Sequence, residues 1–113
     1  MVQAKVVGGL SVLDLDHLSR QTLGNRALAR EVLGLFVSHA EEQLERLARS
    51  APGRERRESA HAIVGSARAI GAFDVARIAG EIEQSSGAVE AEFAELAKAV
   101  SETREFIARL LEK

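Results

Sequence analysis

The stretch Ala60-His61-Ala62-Ile63-Val64-Gly65-Ser66-Ala67-Arg68-Ala69-Ile70-Gly71 decides the fold. With each residue taken as about 100° further round a helix and His61 set at zero, Ala60, Ile63, Ala67 and Ile70 fall between about 180° and about 260°. That single apolar stripe, spaced i, i+3, i+7, i+10, is the signature of a helix packed on a core. His61 points away from it. Gly65 stands one turn above His61 and Arg68 two turns above, both on the outward side. Glycine costs a helix interior about 1 kcal/mol relative to alanine. At this place it would let a second molecule approach the imidazole closely. Val64, at about 300° on the same wheel, is expected at the edge between core and surface.

The neighbouring segments read as further helices. Ser11-Val12-Leu13-Asp14 looks like a capping box with Asp in place of Glu, and Leu15, Leu18 and Leu23 make a short helix that stops near Gly24. Asn25 is expected to cap a second helix, along which Leu28, Val32, Leu35, Phe36, Ala40, Leu44 and Leu47 keep a helical period. It should end near Ser50, because Pro52 disfavours a helical Ala51 and lacks a backbone donor. Pro52 and Gly53 turn the chain into the third helix, Arg54 to Ile70, with Gly71 just past its end. Asp74 is expected to cap a fourth helix burying Val75, Ile78 and Ile82, which Ser85-Ser86-Gly87 breaks. In the last helix Val89, Phe93, Leu96, Val100, Thr103, Ile107 and Leu110 step by 4 and 3. That seam would suit a coiled-coil dimer, but the short loops at Gly71 and Ser86-Gly87 favour folding back on the preceding helices. The expected fold is all-α: an antiparallel up-down four-helix bundle with a short additional N-terminal helix.

A chain of 113 residues, 46% hydrophobic, holds one core and one domain, expected over residues 11–113. Residues 1–10 are too briefly apolar for a signal peptide and read as a flexible lead. No run approaches the ~18 apolar residues of a membrane span. The net charge of −2, without basic runs interleaved with aromatics, argues against nucleic-acid and anionic-membrane binding. There is no cysteine, so no disulfide framework or thiolate metal site, and a cytoplasmic location is expected.

The chemistry candidates narrow quickly. No strand-turn-helix nucleophile elbow appears, and no Gly-rich phosphate loop, so neither serine-type hydrolysis nor ATP-dependent kinase activity is expected. His17, His39 and His61 lack His-x-x-x-His spacing, and no metal site is expected. His17, among Asp14, Asp16 and Arg20, reads as an exposed, solvated side chain. His39, beside the apolar stripe of its helix, reads as a core-edge residue with an ordinary hydrogen-bond partner, the other reading being a residue that assists His61. Arg54 and Arg57 fall at about 20° and about 320° on the wheel and join His61 and Arg68 on the exposed face. Glu58, at about 60°, blunts that charge. Three arginines around one histidine suit an acidic partner or a phosphoryl group, since guanidinium makes bidentate contacts to oxyanions.

The run from His61 to Ala72 resembles the phosphoacceptor signature of histidine-containing phosphotransfer (HPt) domains, roughly Ala-His-x-Leu-Lys-Gly-Ser-Ala-x-x-x-Gly. Gly80-Glu81-Ile82-Glu83 is similar to the family's acidic segment on the next helix. Leu35-Phe36 and the Glu-rich run Glu41 to Leu47 resemble its preceding helix, so the resemblance covers roughly residues 13–112. Val64 departs from the pattern, standing where the family usually has lysine. The resemblance implies His61 as phosphoacceptor and donor and aligns Glu83 with a family position; transfer through the outer nitrogen, with Nδ1 held by Glu83 or Gln84 from the fourth helix, is a further expectation. Arg68, leaning back toward the helix N-terminus, is expected to supply the missing charge. Gly65 and Val64 complete the supporting set. Arg54, Arg57 and Ser66 are expected to meet the partner. The implied partners are the receiver domain of a hybrid histidine kinase and that of a separate response regulator. This chain, expected as a monomer, needs no cofactor of its own, and Mg²⁺ resides on the receiver. The competing expectations are a helical adaptor that docks a receiver or kinase without being phosphorylated, and an unrelated structural or dimerisation module.

Overall fold

The structure, a computed structural model, describes residues 6–7 and 10–112. Of the lead expected over residues 1–10, residues 1–5 and 8–9 lie outside the described residues. Val6–Val7 (β1) pairs antiparallel with Leu10–Ser11 (β2), Val6 opposite Ser11 and Val7 opposite Leu10, a two-residue ladder that helical periodicity does not reveal. The remaining elements are five helices.

The first, α1, spans Leu15–Gln21 and begins three residues later than the Ser11 box implies. Its cap is Asp14, whose carboxylate accepts from the His17 amide at 2.9 Å. Ser11 is committed to the ladder, Val12 and Leu13 are buried, and Asp14 N donates to Gly71 O at 2.9 Å, so the chain stays extended up to Asp14. The helix closes on Thr22, whose hydroxyl donates to Leu18 O. Leu23 does not join the apolar stripe: it adopts φ +55°, is followed by Gly24 at +70°, and faces solvent.

Helix α2, Arg26–Arg49, is capped by Asn25, which accepts from Leu28 N at 3.0 Å, and ends at Ser50. Its buried positions are Leu33, Phe36, Ala40, Gln43 and Leu47. Leu28 is exposed and so is Leu35, at 63%. Leu35 lies about 100° round the helix from Phe36, on the uncovered side, while Leu33 and Phe36 take buried positions.

Helix α3, Arg54–Ile70, buries Ala60, Ile63, Ala67 and Ile70 as their spacing predicts. Arg56 and Ser59 are buried on the same side. Gly71 ends it in the left-handed region, φ +86°, where the Ala72 amide reaches back to Ala67 O. Glycine is doubly required there, because a Cβ would lie 2.8 Å from Asp14 O.

Helix α4, Phe73–Gln84, starts one residue before Asp74, so Asp74 is not its cap; Ala72 holds that place and makes no side-chain cap bond. Asp74 sits in the first turn, where a carboxylate still favours the helix dipole. Val75, Ile78 and Ile82 are buried, and the helix stops at Ser85. Helix α5, Glu90–Leu111, buries Leu96, Val100, Thr103 and Ile107, with Val89, Phe93 and Leu110 packed at the edges. The Thr103 hydroxyl donates to Ala99 O at 2.8 Å, which offsets the cost of its burial.

Consecutive helices pack side by side, α2 on α3, α3 on α4, α4 on α5, and α5 returns to α2. The α5 seam therefore meets α2 and α4 of its own chain. Arg30 reaches Leu111 O and Arg104 pairs with Glu41, so residue numbers rise along α2 as they fall along α5. Helix α1 lies on α3. One continuous apolar core, from Leu13 to Ile107, joins all five helices.

Candidate functional site

The α3 stripe anchors that helix through its buried face and so aims His61 outward, with 73% of its side chain exposed. Its Nδ1 lies 2.7 Å from Glu83 Oε2 on α4. An ionised carboxylate only accepts, so Nδ1 is the donor, and in a neutral ring the lone pair then lies on Nε2. Glu83 is the more sheltered partner, 26% exposed, which fixes the carboxylate better than a free surface side chain. Of the two residues considered from the sequence, Glu83 makes the bond. Gln84 lines the same groove without bonding His61.

That groove, about 700 Å³, runs between α3 and α4. His61, Val64 and Arg68 form one wall, and Ala76, Arg77 and Gly80 contribute to the other. Val64 is 8% exposed and belongs to the core cluster, so it lies deeper than its wheel angle suggests. Packing against α4 covers it. Gly65 is exposed, and a Cβ added there would meet nothing within 4 Å. No contact inside the described chain explains the glycine.

The cations divide. Arg68 shares the groove with His61, and among the described residues its side chain makes no hydrogen bond or ion pair. Its carbonyl oxygen instead accepts from His17 Nε2 at 2.8 Å. His17 is thus not a freely solvated histidine: it is half-buried, tied to the end of α3, and its ring stands edge-on to Phe73 at 5.1 Å. Arg54 and Arg57 are exposed on α3 outside the groove, and among the described residues Arg54 pairs only with Glu58, at 3.8 Å. Ser66 turns toward α2. Its hydroxyl donates to Ile63 O, so its oxygen accepts from Nδ1 of His39 at 3.3 Å, the ordinary partner expected for that histidine.

Two residues of consequence escaped the sequence reading. Arg77 lines the groove and is held by Asp74 at 2.9 Å, Glu81 at 2.9 Å and Glu95 at 3.5 Å. Its hydrogen bond to Asp74 raises its pKa further above the ordinary range, Glu81 and Glu95 adding to the effect. The i, i+3 and i, i+4 spacing of Asp74, Arg77 and Glu81 was the available signal. Arg56 is the other, and its wheel angle of about 220° lay inside the apolar stripe.

The family model of the Hpt domain matches residues 31–113. The chain belongs to the Hpt domain family. The match begins inside α2 and takes in α3, α4 and α5, including His61, Glu83 and the groove between them. No curated protein and no solved structure matches the chain. Membership ties this Hpt domain to phosphotransfer in two-component signalling, where Hpt domains interact with receiver domains and kinases. No helix among the described residues is long and apolar enough to cross a membrane.

Proposed function

We propose that this Hpt domain relays a phosphoryl group between receiver-domain aspartates, from a hybrid histidine kinase to a separate response regulator, through His61. The observation that carries the reading is the bond from His61 Nδ1 to Glu83 on an otherwise exposed imidazole. In the accepting step the Nε2 lone pair attacks phosphorus in line, the N–P bond forms, and the P–O bond to the receiver's aspartate breaks, returning a carboxylate. Nε2 has no proton to lose. The ring instead gains positive charge as the bond forms, and Glu83 beside Nδ1 stabilises that charge. The reverse step delivers the group to the next aspartate by the same path.

Little else is needed from this chain. Mg²⁺ and a lysine belong to the receiver, so most of the charge stabilisation typical of phosphoryl transfer comes across the interface. Arg68 supplies the cation that Val64 does not, from the same groove as His61. Gly65 leaves the approach to Nε2 open, and Arg54, Arg57 and Ser66 lie at the margins of the partner surface. In this reading the four longer helices form an antiparallel up-down bundle, and the domain works as a cytoplasmic monomer without kinase activity of its own.

The test is incubation with a phosphorylated receiver domain and Mg²⁺, following acid-labile, base-stable phosphate on wild type and on His61→Gln. Label on wild type alone supports the relay. Receiver binding without label on wild type would instead make the domain a docking adaptor that has lost the chemistry.

A further inference from the structure

Arg56 stands in the first turn of α3, only 3% exposed. Its Nη1 donates to Gly87 O and its Nη2 to Ser85 O, each at 2.8 Å, pinning the α4–α5 turn to α3. The carbonyls lie just past the end of α4, where a cation also favours the helix dipole. This accounts for the two terminal nitrogens and leaves the rest of the group unexplained. Nε is buried and has no partner among the described residues. No carboxylate among them pairs with the guanidinium. A buried cation without a counter-charge is costly, and a guanidinium presents its donors in a fork suited to a carboxylate.

The same side chain lines a cleft of about 600 Å³ between the α2–α3 and α4–α5 turns. Leu47, Pro52, Ile82, Val89 and Phe93 supply its apolar walls, and Glu90 stands exposed at its rim. Its volume lies within the range of small-molecule sites. It shares no lining residue with the His61 groove.

We propose that this cleft binds a small amphipathic carboxylate, its charged end on Arg56 and its apolar body against Leu47, Ile82, Val89 and Phe93. The anionic end is set by the uncompensated guanidinium, and the apolar body by the walls. Because Nε is closed to solvent, a ligand reaches it only as the guanidinium or the turn shifts. Ser85 to Gly87 must therefore report occupancy.

The experiment titrates octanoate, and separately octanol, into the ¹⁵N-labelled full chain while following the Arg56 Nε–H and the Ser85–Gly87 amides by NMR. Octanoate is expected to shift these signals saturably at millimolar concentrations, with octanol binding roughly tenfold more weakly for want of the charge. Glu90→Gln, an exposed substitution that leaves the fold intact, is expected to tighten octanoate binding by removing a like charge and to leave octanol unchanged. Arg56→Lys, if folded by circular dichroism, should weaken octanoate binding about tenfold. Equal binding of octanoate and octanol overturns the proposal, as do the absence of saturable shifts and indifference of octanoate binding to Glu90→Gln.

Discussion

Nδ1 of His61 lies 2.7 Å from Oε2 of Glu83, a bond that crosses from α3 to α4 and joins residues 22 apart in sequence. In the neutral ring it selects one imidazole tautomer and leaves the lone pair on Nε2. Glu83→Ala should therefore slow phosphoryl acceptance from a receiver by roughly tenfold, about 1.4 kcal/mol of barrier, with helicity unchanged. Glu83→Gln retains an acceptor oxygen without the charge and should fall between. Rapid-quench transfer kinetics on the three proteins check the order, and equal rates for wild type and Glu83→Ala would remove Glu83 from the reaction.

Gly65 separates stability from function. Since a Cβ there meets nothing, Gly65→Ala should stabilise the domain by up to about 1 kcal/mol, read from urea unfolding. Gly65→Leu should fold equally well and transfer phosphate slowly, because the added side chain stands one turn from His61 on the approach face. Unimpaired transfer by Gly65→Leu would mean that the partner does not come close at this position.

Arg68→Ala should slow transfer while changing stability by no more than about 0.5 kcal/mol, since its side chain is exposed and makes no bond among the described residues. The contact from His17 goes to the Arg68 carbonyl and survives the substitution. Transfer at the wild-type rate would take Arg68 out of the site.

Gly71→Ala should destabilise the domain by more than about 1 kcal/mol, because φ is +86° and the new Cβ would lie 2.8 Å from Asp14 O. The damage should concentrate where Asp14 docks on Gly71, loosening α1. Hydrogen exchange at the Asp14 amide, which donates to Gly71 O, measures that directly.

Much of the architecture was legible because helical period and punctuation are local. Asn25, Pro52 with Gly53, Gly71 and the Ser85–Gly87 turn act on the backbone within a few residues, and they bound α2, α3 and the end of α4 where the sequence places them. Ala60, Ile63, Ala67 and Ile70 repeat so regularly that the outward direction of His61 followed. Starts were less legible where a competing interaction lay elsewhere in the chain. Ser11 is paired with Val6, and Asp14 is held by Gly71, so the first cap moved from Ser11 to Asp14.

The amino-acid sequence by itself determined the helices, the exposed histidine and the glycine beside it, because each depends on side-chain periodicity or on backbone preferences of single residues. Only the tertiary structure decided which of Glu83 and Gln84 meets His61, since adjacent helical residues point about 100° apart and packing of α4 on α3 selects one. Only it placed Leu35 outside and Val64 within, ringed Arg77 with three carboxylates, and set Arg56 beneath the α4–α5 turn. Those outcomes depend on what a neighbouring helix covers, and no local period carries that information.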